Sequence, residues 1–555
     1  MSLFRKKSLT TILQQGADGE SHGNMHRVLN VRDLTFFGIA AIIGGGTFSA
    51  IGQACYSGGP GVTLLYIICG IACGFTALCY AEFAARVPVS GSAYTYAYVS
   101  FGELFAWIIG WALIMEYSIG NIYIAFSWSG YFTNLLEAFH LHLPDWLTIN
   151  YKSAHEASLA GMDSEGYRAW NTAPQIGSLR IIFDLPAVLI NALITYLVFR
   201  GTRESRNFSN VMVYIKLAII VLVILVGAMY VEIDNWTPFM PNGFSGVMGG
   251  VSAVFFAYIG FDAVSTLAEE CKNPQRDLPR GMIYSLVICT VVYIILALVL
   301  TGMVSYKYLG VSDPLAEIFA LKGVKWMLFI VSIAAVVAMT SVLLVFQMGQ
   351  PRIWMTMARD GLMPQKFASI HPKYKTPGFA TVVTGLVVGL PIFFTDENFV
   401  LDFTSIGTLF AFVLVCGGVL LLSPQSPEEV AEGKSRGKFR IPYINGKYIF
   451  PAIVFGAAAL IAWLFPDFFA EACDYSQDKC ATSIPMSVFI LLCVIMSVLA
   501  FLKNLSLIPL LGLISCCYLL TGMAATNWMW FGIWLLIGLV IYFGFSRKNS
   551  KLNPR

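Results

Sequence analysis

The sequence predicts an all-α polytopic membrane protein with about 14 transmembrane helices. Three observations predict it. Of 555 residues, 57% are hydrophobic and only 12% are charged, about half the charged share of an ordinary soluble chain. Apolar stretches of roughly 20 residues, long enough to cross a bilayer, recur along the chain. Lys and Arg gather on alternate connecting segments. So few charges cannot cover a water-facing surface of this size. That excludes a soluble multidomain enzyme, a disordered protein and a nucleic-acid partner. The net charge of +3 argues for no electrostatic partner, and the lipid bilayer is the expected solvent.

The spans read 34–56, 62–86, 102–132, 181–200, 208–231, 246–268, 281–304, 324–348, 378–396, 402–423, 447–466, 484–503, 505–524 and 527–545. With a cytoplasmic N-terminus, about 27 of the 35 basic residues fall on cytoplasmic segments and about 7 outside, with Lys216 inside a span. The segment 1–33 and the tail 546–555 are then cytoplasmic, in a plasma (cell inner) membrane. Loop 133–180 is external and carries short helices at most. Arg5, Lys6 and Lys7 have no apolar core behind them, so no cleavable signal peptide is expected. No lipidation motif is evident either.

Most of the twelve cysteines, such as Cys69, Cys73, Cys289 and Cys493, lie in apolar runs and read as packing residues. Cys473 and Cys480 flank a polar external loop, where an oxidising compartment would permit a disulfide. A metal site there is the weaker reading, because no further Cys or His pair is near.

Span 1 contains Gly44-Gly45-Gly46 near mid-membrane depth. Each glycine costs about 1 kcal/mol of helix propensity relative to alanine. The run reads as an unwound break, with tight packing through small residues as the alternative. Gly260 and Asp262 interrupt span 6 at a similar depth. If each half has five helices, spans 1 and 6 run in opposite directions. Broken first helices of inverted repeats point to a midplane binding site. Their exposed N–H groups suit a carboxylate and their exposed carbonyls suit an ammonium or Na⁺. A dinucleotide loop is rejected, since no strand precedes the glycines.

Two ionisable residues lie deep in the spans: Lys216 in span 5 and Glu116 in span 3. Such residues are costly in hydrocarbon and suggest function. Lys216 reads as a proton-titrating or Na⁺-replacing ammonium, or else as a side chain snorkelling to the interface. Glu116 reads as a functional carboxyl, or as a structural hydrogen bond between helices. Glu82, Arg86, Asp262, Arg352 and Asp360 sit near cytoplasmic ends, either as solvated interfacial groups or as a charged gate. All six histidines fall outside the spans, which excludes an intramembrane histidine relay and a membrane enzyme with a buried histidine base.

Several motifs in fixed order resemble one family. They are Gly38-Ile-Ala-Ala-Ile-Ile-Gly-Gly-Gly-Thr-Phe48, Tyr80-Ala-Glu-Phe-Ala-Ala-Arg-Val-Pro-Val-Ser-Gly-Ser-Ala-Tyr94, Gly110-Trp-Ala-Leu-Ile-Met-Glu-Tyr117, Phe256-Ala-Tyr-Ile-Gly-Phe-Asp262 with Glu269-Glu-Cys-Lys-Asn-Pro274, and Gly349-Gln-Pro-Arg-Ile353 with Met357-Ala-Arg-Asp-Gly-Leu-Met-Pro364. The chain resembles an amino-acid permease of the amino-acid–polyamine–organocation superfamily, nearest to the cationic amino-acid transporter branch and its bacterial relatives.

The resemblance implies a LeuT-type five-plus-five inverted repeat, residues 34–231 and 246–423, with extra C-terminal helices over 447–545. It implies secondary active transport by alternating access. The substrate carboxylate would meet backbone N–H groups of Gly44, Gly45 and Gly46, beside Ile43 and Thr47. Its ammonium would meet carbonyls around Ile43 and around Phe255, Phe256, Ala257 and Tyr258. Lys216 matches a lysine that stands where sodium-coupled relatives hold Na⁺. That favours the proton as coupling ion over sodium, with no other cofactor, and Glu116 matches the family's span 3 glutamate.

Gly45 departs from the family, whose members often carry Thr or Ser there. Met339 and Thr340 fall near the expected side-chain pocket, and a methionine there takes space that a long cationic side chain needs. The expected function is a proton-coupled amino-acid importer. The alternatives are an exchanger with the same site, a transport-inactive sensor, and an enzyme, the last disfavoured. The preferred amino acid and any accessory subunit stay open.

Overall fold

The computed structural model describes residues 5–7, 27–87, 89–161, 164–177, 179–311, 313–395, 397–421, 439–464 and 480–552. Its helices are α1 (Val31–Ile42), α2 (Ile51–Gly58), α3 (Val62–Arg86), α4 (Ala93–Ser100), α5 (Glu103–Ala138), α6 (Tyr151–Ala160) and α7 (Glu165–Thr172). Then follow α8 (Leu185–Arg200), α9 (Thr202–Ala228), α10 (Gly243–Gly249), α11 (Val251–Phe256), α12 (Pro274–Met303), α13 (Pro314–Leu321) and α14 (Lys325–Arg359). The last are α15 (Gly378–Gly389), α16 (Glu397–Leu421), α17 (Gly446–Leu464), α18 (Cys480–Lys503), α19 (Leu507–Thr521) and α20 (Ala525–Ile541). Among the described residues the one sheet is a two-residue ribbon, β1 (Gln175–Ile176) against β2 (Leu179–Arg180).

Among the described residues, each of the 14 sequence spans contains helix. Among the described residues, nine helices are by themselves long and apolar enough to cross a membrane. The shortfall has physical causes. Leu185–Arg200, Gly378–Phe393 and Leu507–Thr521 are shorter apolar helices, and spans 1 and 6 are interrupted. Several spans are longer than the hydropathy suggests: span 7 begins at Pro274 and span 8 runs on to Arg359. Span 3 runs on to Ala138, and span 5 begins at Thr202, because polar first and last turns are helical without being apolar. Cys473 lies outside the described residues, so its pairing with Cys480 does too.

Local chemistry sets the helix ends. Asn30 caps α1, and its side chain and that of Asp33 reciprocally satisfy backbone N–H groups. Asp184 caps α8 by accepting from Ala187 N–H at 3.0 Å. Between α4 and α5 the chain turns at Gly102, whose φ of 107° is costly for any other residue.

Helix α5 is the spine: its most apolar window is 89% buried, against 11% for α17 at the periphery. Polar pairs stitch α5 to α14, with Asn121 donating to Gln347 at 3.0 Å and Gln350 to Ser118 at 2.7 Å. Gln347 continues to Thr195 on α8 at 2.7 Å. Where water is absent, such side-chain bonds are a main source of helix association. Loop 133–180 does carry short helices, α6 and α7. They pack Ala154, Ala169 and Ala173 against Ile182 and Trp170.

Spans 1 and 6 run side by side and antiparallel through the middle of the protein. A Cβ built on Gly38 would meet Val264 at 3.2 Å, on Gly260 it would meet Ala41 at 2.6 Å, and on Gly46 the Ala257 Cα at 2.4 Å. Further along, Gly250 meets Ala54 and Gly58 meets Val247, both at 3.3 Å. Residue numbers rise along one chain as they fall along the other, as opposed spans require.

Candidate functional site

Helix α1 ends at Ile42, and Ile43 is extended with ψ 102°. A π-helical turn, Gly46–Ala50, restarts the helix. The hydrogen bonds that close the gap run from Ile43 N–H to Ile39, and from Thr47 and Phe48 N–H to Gly44. The N–H groups of Gly44, Gly45 and Gly46 take no part in them. The break expected from the sequence is therefore present, and the packing alternative holds as well. A Cβ on Gly44 would meet Val342 at 2.2 Å, and one on Gly45 would meet Ile124 at 2.5 Å. With Gly46 against Ala257, the three glycines touch α14, α5 and span 6 in turn. Ile124 and Tyr123 fill the space that a hydroxyl side chain at position 45 would take.

Lys216 points into this gap. Its Nζ donates to the carbonyls of Ala40 at 3.1 Å and Ile43 at 2.8 Å, and to Ser341 Oγ at 2.9 Å. The side chain is 0% exposed. Snorkelling is thereby excluded: the ammonium goes inward, onto carbonyls that the end of α1 leaves without helical donors. The partial negative charge of a helix C-terminus favours a cation there. Because α9 begins at Thr202, Lys216 lies roughly 20 Å along the helix, at 1.5 Å per residue.

Tyr293, on α12, joins the two breaks, and sequence reasoning missed it. Its hydroxyl lies 2.8 Å from the Ile42 carbonyl and 2.9 Å from the Ala257 carbonyl. It also accepts from Thr47 Oγ1 at 3.1 Å. A phenol has one proton, so it satisfies only one of the two carbonyls at a time. A tyrosine inside an apolar run carries no signal that would single it out. Ser341 was missed for the same reason, since the expected pair was Met339 and Thr340.

The remaining expected residues are distributed as follows. Phe256 packs edge-on against Tyr123 at 4.6 Å, and Phe255 against Phe412 at 5.8 Å. Tyr258 turns its hydroxyl away, to the Tyr66 carbonyl at 2.8 Å. Thr340 accepts from Trp128 Nε1 at 2.9 Å, and Met339 beside it is buried. Glu116 is 2% exposed, and one of its carboxylate oxygens lacks a partner among the described residues. It does not join Lys216; its electrostatic neighbours are Asp262, Tyr80 and Tyr117.

The basic ends of the spans hold paired charges. Buried Arg352 donates through Nε to Glu270 at 2.7 Å, and Arg359 to both oxygens of Glu269 at 3.0 and 3.1 Å. Glu82 pairs with Arg86, and Asp360 with Lys7. Four of the five sequence candidates thus stand in ion pairs. The fifth, Asp262, is 1% exposed and has no side-chain partner among the described residues. No group of three or more His, Cys, Asp or Glu among the described residues could hold a metal ion.

A helical membrane protein whose two opposed, broken spans enclose backbone donors, carbonyls and a buried ammonium belongs among the integral membrane transporters. The particular family follows from comparison. Residues 29–495 match the amino acid permease family, and residues 505–550 match that family's C-terminus. The chain belongs to this family. It is 36% identical to the branched-chain amino acid permease BcaP of Bacillus subtilis, over 100% of this chain and 99% of that protein. It is 37% identical to the methylthioribose transporter of the same organism, with the same coverage. It is 30% identical to human cationic amino acid transporter 4, over 97% of this chain and 90% of that protein.

Proposed function

We propose that this protein is a secondary active amino-acid transporter that imports its substrate with protons, by alternating access. The observation that carries the reading is the Lys216 ammonium seated on the Ala40 and Ile43 carbonyls at the first break. That seat has the donor set of a sodium site, filled by a group that can lose its charge. The proton is therefore favoured over sodium as the coupling ion. The N–H groups of Gly44–Gly46, which take no part in the bonds that close the gap, suit the substrate carboxylate. The carbonyls of Ile42 and Ala257 share one hydroxyl proton, so an incoming ammonium finds an unsatisfied acceptor there.

The antiparallel contact of spans 1 and 6 supports two inverted halves, 34–231 and 246–423. The Lys/Arg distribution supports a cytoplasmic location for both termini, in a plasma membrane. Uptake of labelled substrates into proteoliposomes under an inward proton gradient tests the reading. Gradient-stimulated uptake of at least one amino acid is expected, and its absence across a full panel would overturn it. Exchange would appear as uptake that needs internal substrate rather than a gradient. A second reading, a neutral thiosugar substrate, is favoured by the likeness to the methylthioribose transporter, so that compound belongs on the panel.

A further inference from the structure

The C-terminal tail packs on the start of α5. Helix α20 is bonded along α5: Trp107 Nε1 donates to the Gly538 carbonyl at 2.8 Å, Trp111 Nε1 to Trp534 at 2.9 Å, and Trp534 Nε1 back to Trp111 at 3.0 Å. A π-helical turn, Tyr542–Ser546, and the short helix Arg547–Asn549 then lead to Ser550. All of this converges on Glu103, which is fully buried. One carboxylate oxygen accepts from Tyr542 Oη at 3.0 Å and Arg5 Nη2 at 3.3 Å. The other accepts from Ser550 Oγ at 2.5 Å and Tyr98 Oη at 3.2 Å.

These donors come from three separate parts of the chain, the N-terminal strip, α4 and the tail, so the cluster is more than the local satisfaction of a helix end. The tail also grips the N-terminal strip Arg5–Lys7 and the end of α14. Arg5 Nη1 donates to the Leu552 carbonyl at 2.9 Å, and Glu103 N–H donates to the Arg5 carbonyl at 2.9 Å. Lys7 pairs with Asp360, while Lys551 N–H donates to the Asp360 carbonyl at 3.0 Å. Ser546 Oγ donates to the Leu362 carbonyl at 2.7 Å.

The strip is bonded to α4, α5 and α14. The residues that lead into α1 are bonded elsewhere: Val28 and Leu29 N–H donate to Glu270, and Lys272 N–H donates to Leu29. The strip is thus held by the α5–α14 framework, and the lead into α1 by the end of span 6 and the residues after it. We propose that the tail is a strap: Tyr542, Ser550 and Leu552 hold Arg5 on Glu103 and keep the N-terminal strip clamped across this face.

Trypsin reads this directly on the purified full chain, because Arg5 and Lys7 are cleavage sites whose side chains the clamp holds. Cleavage there is followed by mass spectrometry of the N-terminus, a readout independent of what the protein carries. In the unaltered chain slow cleavage at Arg5 and Lys7 is expected. A chain ending at Asn549 is expected to be cut about tenfold faster or more, the effect of losing a hydrogen bond to a charged group. Ser550→Ala and Tyr542→Phe each remove one hydroxyl and should give the same direction at an unchanged melting temperature. Unchanged cleavage at Arg5 and Lys7 in all three would overturn the strap. So would equal acceleration at every basic site, which means general loosening.

Discussion

Gly46 and Ala257 bring the two broken spans into backbone contact: a methyl group on Gly46 would stand 2.4 Å from the Ala257 Cα. Backbone cannot yield to such an intrusion as the end of a side chain can. Gly46→Ala should therefore push the spans apart and abolish uptake in proteoliposomes. Gly74→Ala, where a Cβ meets nothing within 4 Å, should leave uptake near its original rate. Equal uptake by both variants would show that the contact is not needed.

Lys216→Ala takes the ammonium away from the buried Ala40 and Ile43 carbonyls, leaving Ala40 only the Ser341 hydroxyl, at roughly 1–3 kcal/mol for a buried group left unsatisfied. It also removes the group proposed to carry the proton. The expected outcome is loss of proton-driven accumulation with exchange of labelled for unlabelled substrate retained. Accumulation that still follows the gradient would leave Lys216 a structural role.

Tyr293→Phe removes the hydroxyl that serves Ile42 and Ala257. One neutral hydrogen bond is worth about 0.5–1.5 kcal/mol, or roughly 2- to 10-fold in an equilibrium constant. A shift of that size in KM, with the protein still folded, is expected in initial-rate uptake. An unchanged KM would place substrate away from these carbonyls.

Arg352→Gln strands the buried carboxylate of Glu270. Breaking a buried pair on one side costs about 3–5 kcal/mol, whereas neutralising both partners costs much less. The melting temperature in detergent should fall for Arg352→Gln and recover in large part when Glu270→Gln is added. No recovery in the double variant would argue that the pair is not the stabilising contact.

Met339→Ser opens volume next to Thr340, at the side-chain end of the expected pocket. Competition by lysine and arginine against a neutral labelled substrate should strengthen. An unchanged competition profile would show that Met339 faces elsewhere.

The fold and the site were not equally legible. The break at Gly44–Gly46 was readable because three glycines in a row weaken a helix whatever surrounds them. Lys216 was readable because an ammonium in an apolar span is costly anywhere. Ser341 was not, since a lone serine among apolar residues has the same local pattern as its neighbour Thr340. Only packing decides that Ser341 meets Lys216 while Thr340 meets Trp128. Glu116 illustrates the same limit, because its depth was evident but its company, Asp262 rather than Lys216, was not.

By itself, then, the sequence determined the membrane class, the order and approximate limits of the helices, and the positions of the two breaks. Those follow from hydrophobicity and helix propensity, which act over a few neighbouring residues. The tertiary structure alone decided that Tyr293 bridges the breaks, that each of the three glycines faces a different helix, and that the tail closes on Glu103. Those depend on contacts between residues far apart in the chain, where the choice of partner is made by packing and by the need of buried polar groups to be satisfied.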